Sequence, residues 1–232
     1  MLIALTLLPA INLPPTKAAD PQSFWTTMTP MLTARGGFGV AVVDGKIYAI
    51  GGLNGNDLPV SITEEYNPQT NEWTSKTPMP TPRSGFAITV YQNKIYVIGG
   101  SVGYGYVGNN EVYDPVSNTW ETKTSMPTPR ADLCANLAND NIYLIGGKKY
   151  SSTTPFFNQT NINEVYYPAN DSWSTKTPVP TAVQGYASVV FNSKIYVMGG
   201  SLESLSLEKT LLTAATQVFD PQNDSWSLAA NL

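Results

Sequence analysis

The sequence predicts an all-β protein built from repeated units of about 50 residues. A short apolar segment ending in two glycines occurs four times, as KIYAIGG, KIYVIGG, NIYLIGG and KIYVMGG. The five tryptophans recur at nearly the same spacing as these segments: Trp25, Trp73, Trp120, Trp173 and Trp226. Self-similarity at a fixed step of this length is typical of repeat architectures.

Each unit contains four predicted strands. An apolar or alternating run comes first, as in GFGVAVV from Gly37, and a two-residue turn such as Asp44-Gly45 follows it. Hairpin turns of this length need positive φ angles, which Gly, Asn and Asp tolerate best. The glycine-ended segment is the second strand. After a loop of variable length, a third strand such as NEVYDP ends in a proline turn, and the fourth strand carries the tryptophan.

Four antiparallel strands repeated at about 50 residues make one blade of a β-propeller each. We expect four blades, at about residues 33–80, 81–127, 128–180 and 181–232, within a domain of residues 20–232. Trp25 begins a fourth-type strand without its three companions, so we expect a stray N-terminal strand. The sequence SWSLAANL ends where another unit would continue, so we expect an incomplete ring, with open blade edges that favour self-association.

The double glycine, the E-x-Y-D-P-like third strand and the tryptophan beyond it are features of the kelch family. The chain from about Trp25 to Leu232 resembles tandem kelch repeats. The resemblance implies a propeller in which the first strand of each blade is innermost. A side chain at the glycines would then collide with the next blade, and the aromatic residues would pack between blades. We therefore expect structural roles for Gly51, Gly52, Gly99, Gly100, Gly146, Gly147, Gly199 and Gly200, and for Trp73, Trp120, Trp173 and Trp226.

Composition argues against several functions. The formal net charge is −4 and the chain has no Lys/Arg run, so we expect no nucleic-acid partner. With no histidine and one cysteine, the chain offers no His-based triad and no Cys/His metal cluster. We expect no catalytic residue, no metal and no cofactor. The kelch architecture also includes galactose oxidase, whose copper site needs histidines, and a sialic acid epimerase. A carbohydrate-active enzyme of the epimerase kind, using a ring of arginines, is the alternative function.

Three arginines stand at the same distance before the double glycine: Arg35, Arg83 and Arg130. Val183 has that place in the fourth unit, where Gln217 also replaces a glutamate of the third strand. The glutamates of the other units are taken to be Glu65, Glu111 and Glu164. Joint loss of both residues in one unit indicates an Arg–Glu pair within or between blades. The alternative is a ring of arginines that binds an anion near the channel mouth.

The loops between the second and third strands carry the long insertions. They emerge at the same end as the links between blades, and insertions on one face of a repeat protein often form its binding face. Their aromatic residues are candidate ligand contacts: Tyr104, Tyr106, Tyr150, Phe156 and Phe157. We expect a non-catalytic interaction module that presents these loops to a protein or a glycan. The alternative is that these aromatic residues pack back onto the blades.

The N-terminal sequence MLIALTLLPAINLPPTKAAD has an apolar run followed by small residues. Residues 1–19 therefore resemble a secretory signal without its basic start, although an N-terminal arm is the alternative. The apolar run is short and interrupted by proline, so we do not expect it to span a bilayer. We expect an extracellular or cell-surface protein, with a cytoplasmic location as the alternative.

Overall fold

The computed structural model describes residues 25–150, 157–202 and 211–229. Within these ranges the chain forms strands and turns, and no helix is present that is long and apolar enough to cross a membrane. The predicted signal at residues 1–19 and the candidate contact Phe156 lie outside the described residues.

Sixteen strands form four antiparallel sheets of four strands each, and each sheet is one blade. The first blade contains β1 (Gly39–Val43), β2 (Lys46–Ile50), β3 (Thr63–Asn67) and β4 (Glu72–Lys76). The second contains β5 (Ala87–Tyr91), β6 (Lys94–Ile98), β7 (Asn110–Asp114) and β8 (Thr119–Lys123). The third contains β9 (Cys134–Ala138) and β10 (Asn141–Ile145), then a hairpin of β11 (Lys148–Tyr150) and β12 (Phe157–Gln159), then β13 (Asn163–Tyr167) and β14 (Ser172–Lys176). The fourth contains β15 (Ala187–Phe191) and β16 (Lys194–Met198), then a hairpin of β17 (Ser201–Leu202) and β18 (Leu211–Leu212), then β19 (Thr216–Asp220) and β20 (Ser225–Ala229).

Strand register within a blade follows from the two-residue turns. In the first blade Val43 lies opposite Lys46 and Gly39 lies opposite Ile50. The turn residues Asp44 and Gly45 have φ angles of 48° and 72°, the left-handed region that such hairpins require. The predicted hairpin is therefore present, and equivalent turns join the first two strands of the other blades.

The first strands of the blades lie next to one another in the order β1, β5, β9 and β15, and they are therefore the inner strands. At each junction a tyrosine of the second strand meets an aromatic residue of the next blade's third strand. Ring centroids are 5.9 Å apart for Tyr48–Tyr113, 6.1 Å for Tyr96–Tyr166 and 5.7 Å for Tyr143–Phe219. The predicted all-β fold with four four-stranded blades is confirmed.

The tryptophans join the outer strands of consecutive blades. Each indole N–H donates to the carbonyl of a threonine that follows the outer strand of the preceding blade. The donor–acceptor distances are 2.9 Å for Trp120 to Thr77, 2.8 Å for Trp173 to Thr124 and 2.8 Å for Trp226 to Thr177. These bonds give the tryptophans a structural role at the blade junctions.

The segment near Trp25 differs from the predicted stray strand, because residues 25–35 form no strand. The carbonyl of Thr29 accepts a hydrogen bond from the Trp73 indole at 3.0 Å, and its N–H donates to Asn71 at 2.8 Å. Thr29 thus has the place at the first blade that Thr77 has at the second. A strand needs a neighbouring strand to pair with, and the described ranges place none in front of the first blade. Thr29 therefore bonds to the outer edge of that blade without forming a strand ladder.

Hydrophobic core clusters occupy the junctions between consecutive blades, from the first to the fourth. The described part of the chain contributes no such cluster between the fourth blade and the first. This arrangement agrees with the expected open ring.

Candidate functional site

Each double glycine fixes the point at which a loop leaves the propeller. Gly100 has a φ of 108°, and a Cβ atom there would lie 2.8 Å from the Ser84 carbonyl oxygen and 2.9 Å from the Phe86 Cβ. Neither the backbone conformation nor the space therefore accepts a side chain. The residue after each double glycine bridges to the residue three positions before an inner strand begins. The pairs are Gly36–Leu53, Ser84–Ser101, Ala131–Lys148 and Gln184–Ser201.

We call the end of the propeller from which these segments leave the loop face. It comprises the described parts of residues 53–62, 101–109, 148–162 and 201–215. The bridges place each segment beside the start of an inner strand, so the loops surround one end of the axis. The hairpins β11–β12 and β17–β18 extend the segments of the third and fourth blades. The insertions therefore collect on one face, as the position of these loops between the second and third strands of each unit predicts.

The predicted aromatic contacts of the loop face fall into two groups. Tyr104 is fully exposed and Tyr150 is largely exposed, so both are open to a ligand. Tyr106 is half-buried, with the Lys148 ammonium 5.8 Å from its ring centroid. Burial, together with the Asp132 carboxylate, raises the pKa of Tyr106 above its ordinary value. The backbone of Phe157 lies in β12, opposite Tyr150.

Aliphatic side chains accompany these tyrosines on the loop face. The exposed ones are Leu58, Val102, Leu211 and Leu212. Single exposed apolar residues are ordinary on a soluble protein, but several on one face indicate a binding surface. These aliphatic residues come from the first, second and fourth blades, and the third blade contributes the exposed Tyr150.

A cavity of about 360 Å³ lies beside the starts of the inner strands of the first three blades. Its lining includes Ser84, Ser101, Asp132 and Lys148. The Asp132 carboxylate and the Lys148 ammonium are 2.6 Å apart, so the third blade places an ion pair at this opening. The cavity combines charged groups and hydroxyl groups with the apolar loop tips around it.

Sequence reasoning missed Asp132 and Lys148. Asp132 has a φ of 56° and stands where the other blades have Gly37, Gly85 and Gly185, all with similar φ angles. A residue with a side chain is uncommon in this conformation, although Asp tolerates it better than most. An aspartate among three aligned glycines was therefore a signal in the sequence that a register-by-register comparison could have found.

The predicted Arg–Glu pairs are present, and each pair lies within one blade. Arg35 contacts Glu64 at 2.6 Å, Arg83 pairs with Glu111, and Arg130 pairs with Glu164. All three arginine side chains are closed to solvent. Arg130 also donates to the carbonyls of Leu144 at 2.8 Å and Gly146 at 3.0 Å. Its guanidinium therefore satisfies two backbone carbonyls at the end of the second strand, β10.

The partner in the first blade is Glu64, and the assignment to Glu65 was wrong. The third strands begin at Thr63, Asn110 and Asn163, so the second residue of each strand faces the arginine. The sequence ITEEYNP contains two adjacent glutamates, and a one-residue shift exchanges the two faces of a strand.

Glu65 instead points from the opposite face of β3, at the position of Val112, Val165 and Val218. It accepts hydrogen bonds from Lys46 and Tyr48, both at 2.8 Å, and lies 3.1 Å from the Lys76 ammonium. Burial alone would raise the pKa of this carboxyl. The hydrogen bonds from Lys46, Tyr48 and Lys76 outweigh burial and hold the pKa below its ordinary value.

The fourth blade replaces the ion pair by a neutral arrangement. Gln217 accepts a hydrogen bond from the Thr181 N–H at 2.7 Å and donates to the Thr181 carbonyl at 3.1 Å, while Val183 is fully buried. An anion could reach the arginines of the other blades only by displacing their glutamates. The geometry therefore favours the structural pair over a ring of anion-binding arginines. Among the described residues, no group of three His, Cys, Asp or Glu side chains is placed to hold a metal ion.

The four blades and the surrounding loops define the chain as a β-propeller repeat protein. The family described as "KLHDC2/KLHL20/DRC7 Kelch-repeats domain" matches residues 37–231. The chain therefore belongs to the kelch-repeat family, as the sequence motifs indicated.

Two curated relatives are human proteins. The chain is 42% identical to Kelch-like protein 33 over 50 residues, which cover 22% of this chain and 9% of that protein. It is 32% identical to Kelch repeat and BTB domain-containing protein 12 over 74 residues, which cover 31% of this chain and 12% of that protein. The matched segments are therefore a small part of these relatives.

A solved structure shares the fold. The structure titled "Structure of YjhT" superposes with a TM-score of 0.78 at 20% identity, covering 92% of this chain and 76% of that chain. At this level of identity the similarity concerns the fold alone.

Proposed function

We propose that the chain is a non-catalytic interaction module that binds a protein through its loop face. A kelch-repeat propeller suggests a protein-interaction module. The observation that carries the proposal is Tyr104, a fully exposed aromatic side chain that directly follows Gly103 in the lining of the 360 Å³ cavity. Tyr150 of the third blade and Leu58 of the first blade are further exposed apolar side chains on the same face.

The physical basis is the contrast between rigid blades and apolar loop tips. Burying apolar area contributes roughly 25 cal/mol per Å², and tyrosine is enriched among the residues that dominate protein interfaces. The bridges at Ser101 and Lys148 anchor the bases of two loops to the inner strands. A partner would therefore contact side chains on loops whose bases are already held in place. This preorganisation lowers the conformational entropy lost on binding.

The absence of catalysis is part of the proposal, and two observations support it. The chain has no histidine, and the arginines on which an epimerase-like activity would depend are buried in ion pairs. Glycan binding and the extracellular or cell-surface location stay predictions. The segment that prompted the prediction of export, residues 1–19, lies outside the described residues.

The test is affinity capture of proteins from the native host with the immobilised chain. Each recovered protein is purified and its affinity measured by biolayer interferometry. We expect the double variant Tyr104→Ala/Tyr150→Ala to bind at least about tenfold more weakly, because truncating a central aromatic contact typically costs more than 1 kcal/mol. A glycan array probed with the same proteins separates protein recognition from glycan recognition.

The matched control is Val116→Ala. Val116 is also exposed, but it lies in the β7–β8 turn at the opposite end of the propeller. We expect this variant to bind like the wild type. Equal affinity of the double loop variant and the wild type for every captured protein would refute the loop face as the binding surface.

A further inference from the structure

The face of the fourth blade that points away from the third blade is apolar and open. On β15, Val189 is 50% exposed and Phe191 is 60% exposed. Together with the half-buried Tyr196 and Met198 of β16 they line a groove of about 320 Å³. We call these four residues the trailing face.

The same positions in the other blades are buried by the blade that follows. The tyrosines equivalent to Tyr196 are Tyr48, Tyr96 and Tyr143, with exposures of 2%, 6% and 3%. The residues equivalent to Met198 are Ile50, Ile98 and Ile145, and all three are fully buried. The trailing face therefore has the composition of a blade junction, and the described residues include no blade that covers it.

The first blade exposes the complementary half of a junction, on the side that points away from the second blade. Val40 and Val42 of β1 are 51% and 59% exposed, and Ile47 of β2 is half-buried. We call these three residues the leading face. Their equivalents in the second blade, Ile88, Val90 and Ile95, pack into the core between the first and second blades. Ile95 is fully buried there.

We propose that a second copy of this chain covers these surfaces, so that the trailing face of one copy packs against the leading face of the next. One chain carries both halves of an interface that it already forms three times between its own blades. Because the two halves differ, the contact is head-to-tail, and one copy can use both halves at once. Thr29 already lies at the outer edge of the first blade, so the contact uses the first two strands of each end blade, β1 and β2 on one copy and β15 and β16 on the other.

The test is sedimentation velocity of the full chain over a range of concentrations. We expect the wild type to self-associate. Phe191→Glu and Val42→Glu should each weaken association at least about tenfold, because each buries a carboxylate without a partner in the contact. The control Val116→Glu places the same charge in the β7–β8 turn of the second blade, outside both faces. This variant should associate like the wild type. Circular dichroism melts check that each variant is folded, and Val189→Lys and Val40→Lys replace any variant that is not.

Mixing the two defective variants gives the most specific result. Phe191→Glu keeps its leading face and Val42→Glu keeps its trailing face, so the mixture retains one intact contact and should form a one-to-one dimer that grows no further. Three outcomes would overturn the proposal: a wild type that stays monomeric at every concentration, variants that associate like the wild type, or a mixture that forms no dimer.

Discussion

The first three blades and the fourth blade fill the same interior position in different ways. The first three use a buried arginine and glutamate, while the fourth uses the buried Val183 and the amide of Gln217. The amide bonds to the backbone of Thr181, and in the third blade Arg130 and Glu164 bond to the equivalent Thr128. The fourth blade therefore fills this position without charge, through satisfied hydrogen bonds and filled volume. In the first three blades the arginines are buried partners of a glutamate and not exposed contacts.

The largest expected effect comes from breaking one ion pair. We expect Arg130→Ala to lower the free energy of unfolding by about 3–5 kcal/mol, because Glu164 would remain buried without its charge partner. Urea unfolding followed by tryptophan fluorescence measures this loss.

The control for this variant gives the third blade the two residues, valine and glutamine, that the fourth blade has at these positions. The double variant Arg130→Val/Glu164→Gln removes both charges and supplies an amide that can reach Thr128. We expect it to lose less than about 1.5 kcal/mol, since replacing a buried ion pair by well-packed residues is often near neutral. A double variant as unstable as Arg130→Ala would show that the charges themselves are required.

A smaller loss of stability is expected when a glycine is replaced. Gly100, which lies against Ser84 and Phe86, can be compared with Gly55, which lies in an open loop. Gly100→Ala should lower the free energy of unfolding by about 1–3 kcal/mol, because its φ of 108° is unfavourable for alanine and the new Cβ would lie 2.8 Å from the Ser84 carbonyl oxygen. Gly55→Ala in the first loop meets no atom within 4 Å and should change stability by less than about 0.5 kcal/mol. Equal thermal melting of both variants would contradict the close approach at Gly100.

The smallest effect concerns Glu65, which stands where the other blades have valine. Its folded pKa is lowered from the ordinary value of 4.5, so its stabilising contribution is present above pH 4.5 and is lost as the pH falls through the folded pKa. We expect Glu65→Gln to be less stable than the wild type by about 1 kcal/mol at pH 7, and this gap should close under acid conditions. Urea unfolding at pH 7 and at successive pH values below 4.5 measures the gap. As a control, replacement of the exposed Glu72 by Gln should leave stability equal to that of the wild type at pH 7 and below pH 4.5. A stability difference for Glu65→Gln that stays constant with pH would contradict the lowered pKa.

The repeat made most of the fold readable from the sequence. Four copies fixed the order of the glycine-ended strand, the two-residue turn and the tryptophan, so the blades and the Arg–Glu pairs followed. Glu64 was missed because the adjacent Glu65 could be aligned equally well with Glu111 and Glu164. Only the register of β3 shows which of the two glutamates lies on the face of the strand that meets the arginine. Asp132 and Lys148 are 16 positions apart in the chain, and the hairpin of β9 and β10 brings them together. The different exposure of Tyr104 and Tyr106 depends on how one loop folds, which composition does not reveal.

The most direct test of the central claim compares the loops with the arginines in one binding measurement. The protein recovered by affinity capture is titrated against Arg130→Val/Glu164→Gln and against Tyr104→Ala/Tyr150→Ala, after both variants are shown to be folded. If the loops carry recognition and the arginines carry structure, the first variant binds like the wild type and the second binds at least about tenfold more weakly. Normal binding by the loop variant, together with lost binding by the arginine variant, would contradict this account.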